Sequence, residues 1–180
     1  MTTFEQAFAI VVGHEGGFDT TRADPGNWTG GAVGRGALRG TKFGISAAAY
    51  PAVDIASLTA DDAAAIYRRD YWVRIRGDDL SPALALLVFD AAVNNGVRRA
   101  AGWLQEAVGA VVDGEIGNET IAATRQAATE QGGAALCAEF MAQRLAFMAS
   151  LPTWRTFGLG WSRRLCVLPW QAIQMQGASS

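Results

Sequence analysis

Histidine occurs once in these 180 residues, at His14. Zinc peptidases and amidases usually need two or more imidazoles, so that class is set aside and no metal or cofactor is called for. A Ser-His-Asp or Cys-His hydrolase would have a single imidazole base to draw on. Cysteine occurs twice, at Cys137 and Cys166. Two thiols make no disulfide framework, and their apolar, helix-like surroundings predict buried free thiols. Charge is also scarce, with 18% charged residues and a net charge of −2, which removes the electrostatic basis for nucleic-acid binding. No apolar run reaches the roughly 18 residues of a membrane-spanning helix, so no membrane insertion is expected. The N-terminal stretch carries Glu5 and no basic leader, so no signal peptide is expected. Synthesis in the cytoplasm is the expectation, and any target outside it would require release by another component.

What is present in quantity is apolar: 50% of the residues are hydrophobic, enough for one compact domain with a real core. Phe4, Ala7, Phe8 and Val11 recur at helical spacing, which predicts an amphipathic helix over residues 3–15 capped by Gly16 or Gly17. Glu15 closes that helix. There it faces the negative end of the helix dipole, and burial beside aromatic neighbours would destabilise its charge further; both effects raise a carboxyl pKa. A raised pKa suits a general acid. Taken alone, Glu15 also fits a solvated residue at a helix end.

A glycine-dense irregular stretch runs from Gly16 to about Phe43, long enough to imply either a function or a hairpin. It holds Asp24-Pro25-Gly26 and leads to Thr41-Lys42-Phe43-Gly44-Ile45-Ser46, a short strand able to pair with an earlier part of the loop. The remainder reads as helices. Thr59 and Asp62 form a capping-box-like start, Ser81-Pro82 opens a helix with an apolar face of Leu84, Leu87, Val88 and Ala91, and Gly96 ends it. Trp103 and Leu104 lie on a third helix, Asn118 is placed to cap the next, and Leu136, Phe140, Met141, Leu145 and Met148 belong to a strongly apolar helix. Pro152 stops that pattern before a Trp-rich final segment. The fold class is therefore mainly α, with a small hairpin or loop insert after the first helix.

Glu15, Asp24 and Thr41 across one glycine-rich loop make a set that an inverting glycosidase can use. One protonated carboxyl gives its proton to the leaving oxygen, an ionised carboxylate activates water, and a hydroxyl helps to hold that water. Phe18, Trp28, Tyr50, Tyr71 and Trp72 are candidates for an aromatic floor beneath sugar rings. Adjacent helical residues diverge, so one of Tyr71 and Trp72 belongs to the core. Each residue also has an ordinary structural reading: Asp24-Pro25-Gly26 as a turn and Thr41 as a strand residue. Asp90, Asn94 and Asn95 fit either hydrogen bonding to a glycan or a buried polar network at a helix end.

Glu15-Gly16-Gly17-Phe18, Asp24-Pro25-Gly26 and Gly40-Thr41-Lys42-Phe43-Gly44-Ile45-Ser46 together resemble the glycoside hydrolase family 108 N-acetylmuramidases, a family of phage endolysins and secretion-activator proteins with a lysozyme-like fold. Tyr71-Trp72, Phe89 to Gly96 and Trp103-Leu104-Gln105 extend the likeness, and Asp113 to Thr120 resembles the peptidoglycan-binding region joined to that family's catalytic part. The resemblance implies Glu15 as the acid cleaving the β-1,4 bond after N-acetylmuramic acid, with Asp24 and Thr41 holding the water. It also implies a muramidase region at 1–95 and a helical peptidoglycan-binding-like region at 96–180 packed as one unit. Family members place the Thr a few residues after the Asp, so the segment 27–39 reads as an insertion, either a longer hairpin or a lid. Bacterial peptidoglycan is the implied partner of a monomer, reached with a holin-type release partner and degraded beyond the cytoplasm, in the periplasm. A lytic transglycosylase, or a non-catalytic wall-binding or secretion-accessory protein, remains the alternative.

Overall fold

The computed structural model describes residues 1–13 and 17–177; His14, Glu15 and Gly16 lie outside the described residues. The chain is mainly helical with one two-stranded antiparallel sheet, the lysozyme-like α+β class expected. It divides into two compact units, one of residues 8–67 and one of residues 1–7 with 68–180.

The larger unit is built around a helix that is apolar on every side. Helix α3 (Pro82–Asn95) buries each residue from Ala83 to Ala92, so the single face read from the sequence is corrected to burial all round. The reason is its company: α4 (Val97–Ala107), α6 (Gly133–Ser150) and α7 (Trp154–Gly177) all pack against it. A helix without a polar face is stable only when enclosed in this way. Ser81-Pro82 opens α3 with proline in the first turn, where its missing N–H costs nothing, and Gly96 closes it at φ 92°. Phe4, Trp72 and Phe89 meet edge to face at centroid distances of 5.4–6.0 Å, a mutually favourable aromatic geometry. Trp72 sits on a π-helical turn (Arg68–Trp72) and donates its indole N–H to Asp78 at 2.9 Å.

Helix α5 (Asn118–Glu130) follows a loop held by one side chain. The Gln105 carbonyl oxygen accepts the N–H groups of Asp113 and Gly114, and its amide donates to Asp113, to the Glu115 carbonyl and to Thr120. Gly117 takes the cap position, one residue before the Asn118 expected there. The Trp-rich final segment is helix α7, which runs through Pro169 as one helix. Both cysteines are free. Burial pushes the half-buried Cys137 thiol up to about 11, whereas Cys166 is exposed, contrary to the burial expected of it. Leu145 is likewise 43% exposed, off the buried face of α6. No helix among the described residues is long and apolar enough to cross a membrane.

The smaller unit contains the glycine-rich loop. Helix α1 (Thr3–Val11) ends earlier than the spacing suggested, because Gly13 takes the left-handed conformation at φ 78° and closes it. The apolar stripe holds, with Phe4 and Ala7 buried. Strands β1 (Thr41–Lys42) and β2 (Ile45–Ser46) pair Thr41 with Ser46 across a turn whose central residues, Phe43 and Gly44, have φ of 52° and 74°. Two positive φ values are what a two-residue hairpin turn requires. The Tyr67 hydroxyl fixes this turn by donating to the Phe43 carbonyl at 3.0 Å. Helix α2 (Ala60–Tyr67) has the expected reciprocal cap: the Thr59 N–H and hydroxyl both donate to Asp62, and the Asp62 N–H returns a bond to the Thr59 hydroxyl.

Candidate active site

The segment 27–39 is a hairpin that leaves the loop and comes back to its starting point. Trp28 pairs with Leu38, the Thr29 N–H donates to the Ala37 carbonyl, and the N–H groups of Arg39 and Gly40 both donate to the Asn27 carbonyl. The hairpin therefore separates Asn27 and Thr41 in sequence and rejoins them in space. Thr41 then pairs backbone to backbone with Asp19 in both directions, at 2.8 and 2.9 Å.

A side-chain chain of hydrogen bonds follows from that closure. The Thr41 hydroxyl donates to Asn27 Oδ1 at 2.7 Å, and Asn27 Nδ2 donates to Asp19 Oδ2 at 2.9 Å. Asp19 Oδ1 accepts both the hydroxyl and the N–H of Thr21, at 2.6 and 3.0 Å. The Thr21 hydroxyl, the Asn27 amide and the Thr21 N–H hold the Asp19 carboxyl below its ordinary range, so it carries a fixed negative charge at neutral pH. Asn27, fully buried, is the pin of the arrangement. Sequence reasoning missed Asp19 and Asn27. The one signal available was their place within the same glycine loop as Asp24.

Asp24 is exposed and caps the short 3-10 turn Pro25–Asn27, with Oδ1 accepting the Gly26 N–H at 2.8 Å. Its Oδ2 has no hydrogen-bond partner among the described residues and is open to solvent. The Ala48 N–H donates to the Gly26 carbonyl, which ties this turn to the chain just after β2. The loop unit thus presents two exposed carboxylates, one saturated with donors and one half-free, and a threonine hydroxyl whose lone pairs remain able to accept from water.

The aromatic candidates divide. Phe18 is 47% exposed and lines a cavity of about 440 Å³ with Leu38, Arg39, Asp54 and Ala56. Trp28 is half-buried and donates its indole N–H to the Arg22 carbonyl at 2.9 Å, and Tyr50 is half-buried in the same unit. Tyr71 is half-buried in the other unit, whereas Trp72 is fully enclosed by Phe4 and Phe89; as a sugar platform it is corrected to a core residue. Gly40 is where the Phe18 ring and the Asp19 carbonyl converge. A Cβ there would stand 2.6 Å from the ring and 2.5 Å from the carbonyl, on a backbone at φ 81°. Gly40→Ala is therefore expected to destabilise the protein by more than about 1 kcal/mol, read as a lower urea midpoint at unchanged slope.

In the helical unit, Asp90 is fully buried. One carboxylate oxygen accepts from Arg144 Nη1 at 2.6 Å, and the other accepts from both Nε and Nη2 of Arg164. It offers no free face to a ligand, which is the buried-network reading of this residue. Asn94 is exposed and donates to the Asp90 carbonyl at 2.8 Å; Asn95 accepts from Arg144 Nε at 3.0 Å. Glu15 lies outside the described residues. No group of three or more potential metal ligands occurs among the described residues.

The comparisons with known proteins place their boundary near residue 97, not at the limit of the loop unit. Residues 8–96 match the family model described as Glycosyl hydrolase 108, and residues 99–166 match one described as Predicted Peptidoglycan domain. Among solved structures, SagA of Brucella abortus superposes with a TM-score of 0.77 at 32% identity, covering 97% of this chain and 95% of that one. No curated protein sequence matches. With a third of its residues identical to a relative over nearly the full length of both, and the hydrolase model spanning the loop and α3, the chain belongs to the glycosyl hydrolase 108 family and is a peptidoglycan hydrolase in type.

Proposed function

We propose that the protein is an N-acetylmuramidase that hydrolyses the β-1,4 bond between N-acetylmuramic acid and N-acetylglucosamine, with Glu15 as general acid. The observation that carries this reading is the loop of residues 17–46. Inside the stretch matching the hydrolase family it holds an exposed carboxylate with a free oxygen, Asp24, and the hydroxyl of Thr41. Glu15 protonates the leaving sugar oxygen, Asp24 takes a proton from the attacking water, and Thr41 orients that water. Phe18 offers the apolar surface for a sugar ring, with Trp28 and Tyr50 of the same unit at lesser exposure. Residues 1–95 supply the chemistry in this reading, and residues 96–180 the hold on the wall. The enzyme would work as a monomer on wall outside the cytoplasm, reached through a pore-forming release partner.

Asp19 supports a second reading of the water-side carboxylate. It sits in direct backbone pairing with Thr41 and is held charged by three donors. Such a saturated carboxylate is a weak base, but a good fixed charge for stabilising positive character on the sugar. The two readings separate by mutation. Asp24→Asn keeps the amide oxygen that caps Gly26 and removes only the charge. It is expected to slow clearing of purified peptidoglycan by about 10²-fold with an unchanged Tm. Asp19→Asn turns an acceptor towards the Asn27 amide into a donor, so its main expected effect is a lower Tm. An Asp24→Asn enzyme at full rate beside a folded, inactive Asp19→Asn enzyme would give the role to Asp19.

A further inference from the structure

A second concave site lies in the helical unit, away from the glycine-rich loop in sequence. It is a cleft of about 620 Å³ whose lining includes Arg74, Asn95, Arg98, Arg99, Glu106 and Asp113. Its walls are firmly built. The Asp113 backbone is held by Gln105, and Asn95 is fixed through Arg144, itself paired with the buried Asp90. Arg99 donates to the Asn95 carbonyl at 2.9 Å and stacks its guanidinium 4.4 Å above the Phe147 ring. Arg98 lies against Gly114, where any Cβ would collide with its stem, so the glycine makes room for that arginine.

Two of the three cations in this cleft are uncommitted. The side chains of Arg74 and Arg98 form no ion pair and no hydrogen bond with another described residue, although Arg98 is near enough to help keep Asp113 ionised. Asn95 spends its Oδ1 on Arg144, and its Nδ2 has no partner among the described residues. Planar guanidinium donors beside a free amide match the geometry of a carboxylate. Glu106 and Asp113 in the same lining give the cleft both signs of charge, which suits a ligand carrying an ammonium as well as carboxylates.

We propose that this cleft binds the peptide stem of peptidoglycan, with Arg74 and Arg98 taking its carboxylates; the inference rests on the wall-hydrolase reading above. Alternating N-acetylated sugars with the lactyl group in amide linkage carry no net charge. The charged groups of the polymer belong to its peptides, so a cleft lined with arginines distinguishes peptide from glycan. The site would direct the enzyme to strands that bear stems and away from bare glycan.

The test measures equilibrium binding to the full chain of three probes: a soluble stem tripeptide, uncharged N-acetylglucosamine oligosaccharides, whose binding the arginine substitutions should leave unchanged, and inorganic phosphate. The tripeptide is expected to bind the wild type, to bind about 10- to 100-fold more weakly to Arg74→Ala/Arg98→Ala, and to weaken as salt rises. Gly102→Leu provides a charge-neutral control, because its Cβ would meet only Val112 Cγ1 at 3.5 Å while the rest of the side chain fills the cleft. It should weaken the tripeptide comparably. Equal tripeptide binding by wild type and both variants, or none by any of them, overturns the proposal. So does phosphate binding at the same strength as the tripeptide, which would make the cleft a general anion site. Since no bond is cut in this assay, its failure is separable from a failure of the Glu15 chemistry, which is read by hydrolysis.

Discussion

Glu15→Gln is expected to lower the rate of peptidoglycan hydrolysis by about 10²- to 10⁴-fold, the range supplied by a positioned general acid. Glutamine keeps the volume and a carbonyl oxygen of the native side chain but has no acidic proton to give. The leaving sugar oxygen would then depart as an alkoxide or wait for a proton from water. The loss should fall on turnover rather than on wall binding, because the peptidoglycan-domain match at 99–166 lies outside this segment. Turbidity clearing of purified wall, run beside a sedimentation assay for binding, separates the two. Equal clearing by wild type and variant would remove Glu15 from the role of acid. Binding without clearing by the wild type itself would favour a wall-binding accessory protein.

The second large effect is on stability and comes from Asp90. Its carboxylate is the only counter-ion given to the fully buried Arg144 among the described residues. Burial pulls that guanidinium below its usual range while Asp90 and its hydrogen bond oppose the shift, and the group stays protonated at neutral pH. Arg144 Nη2 already lacks a hydrogen-bond partner among the described residues. Asp90→Ala would leave a buried cation with no compensating charge, a loss of about 3–5 kcal/mol. For a chain of this size that corresponds to a Tm lower by on the order of 6–20 °C. Arg164→Ala should cost far less, since its side chain is 40% exposed and can be replaced by water. A thermal melt of the two variants checks the order. A fall of only a degree or two for Asp90→Ala would mean that Arg144 can find another partner.

These two residues also mark what the sequence made legible. Features written in adjacent residues could be read directly. The Thr59–Asp62 cap and the Asp24 turn depend on side chains bonding to backbone two or three positions away, and the start of α3 on a proline in its first turn. Asp90 was equally visible as a polar residue inside an apolar helix, but its partners lie 54 and 74 positions on, and no local pattern connects them. The same reason hid Asp19 and Asn27. Their bonds to each other and to Thr41 exist only because the 27–39 hairpin folds back on itself, and nothing in its glycine-rich composition says where it closes. The end of α1 was misplaced for a different reason. Gly13, Gly16 and Gly17 compete as helix stops with nearly equal propensity, and the first of them took the cap. Trp72 failed as a sugar platform because hydrophobicity alone does not say whether an aromatic ring meets ligand or core.

The most direct test of the proposed reaction is mass spectrometry of the fragments released from purified peptidoglycan after borohydride reduction, which marks every reducing end. Hydrolysis as proposed leaves N-acetylmuramic acid at the reducing end, with one water added per cut and no fragments from the Glu15→Gln variant. Reducing ends of N-acetylglucosamine, or 1,6-anhydro ends without added water, would contradict it and assign the chain a different bond or a transglycosylase reaction.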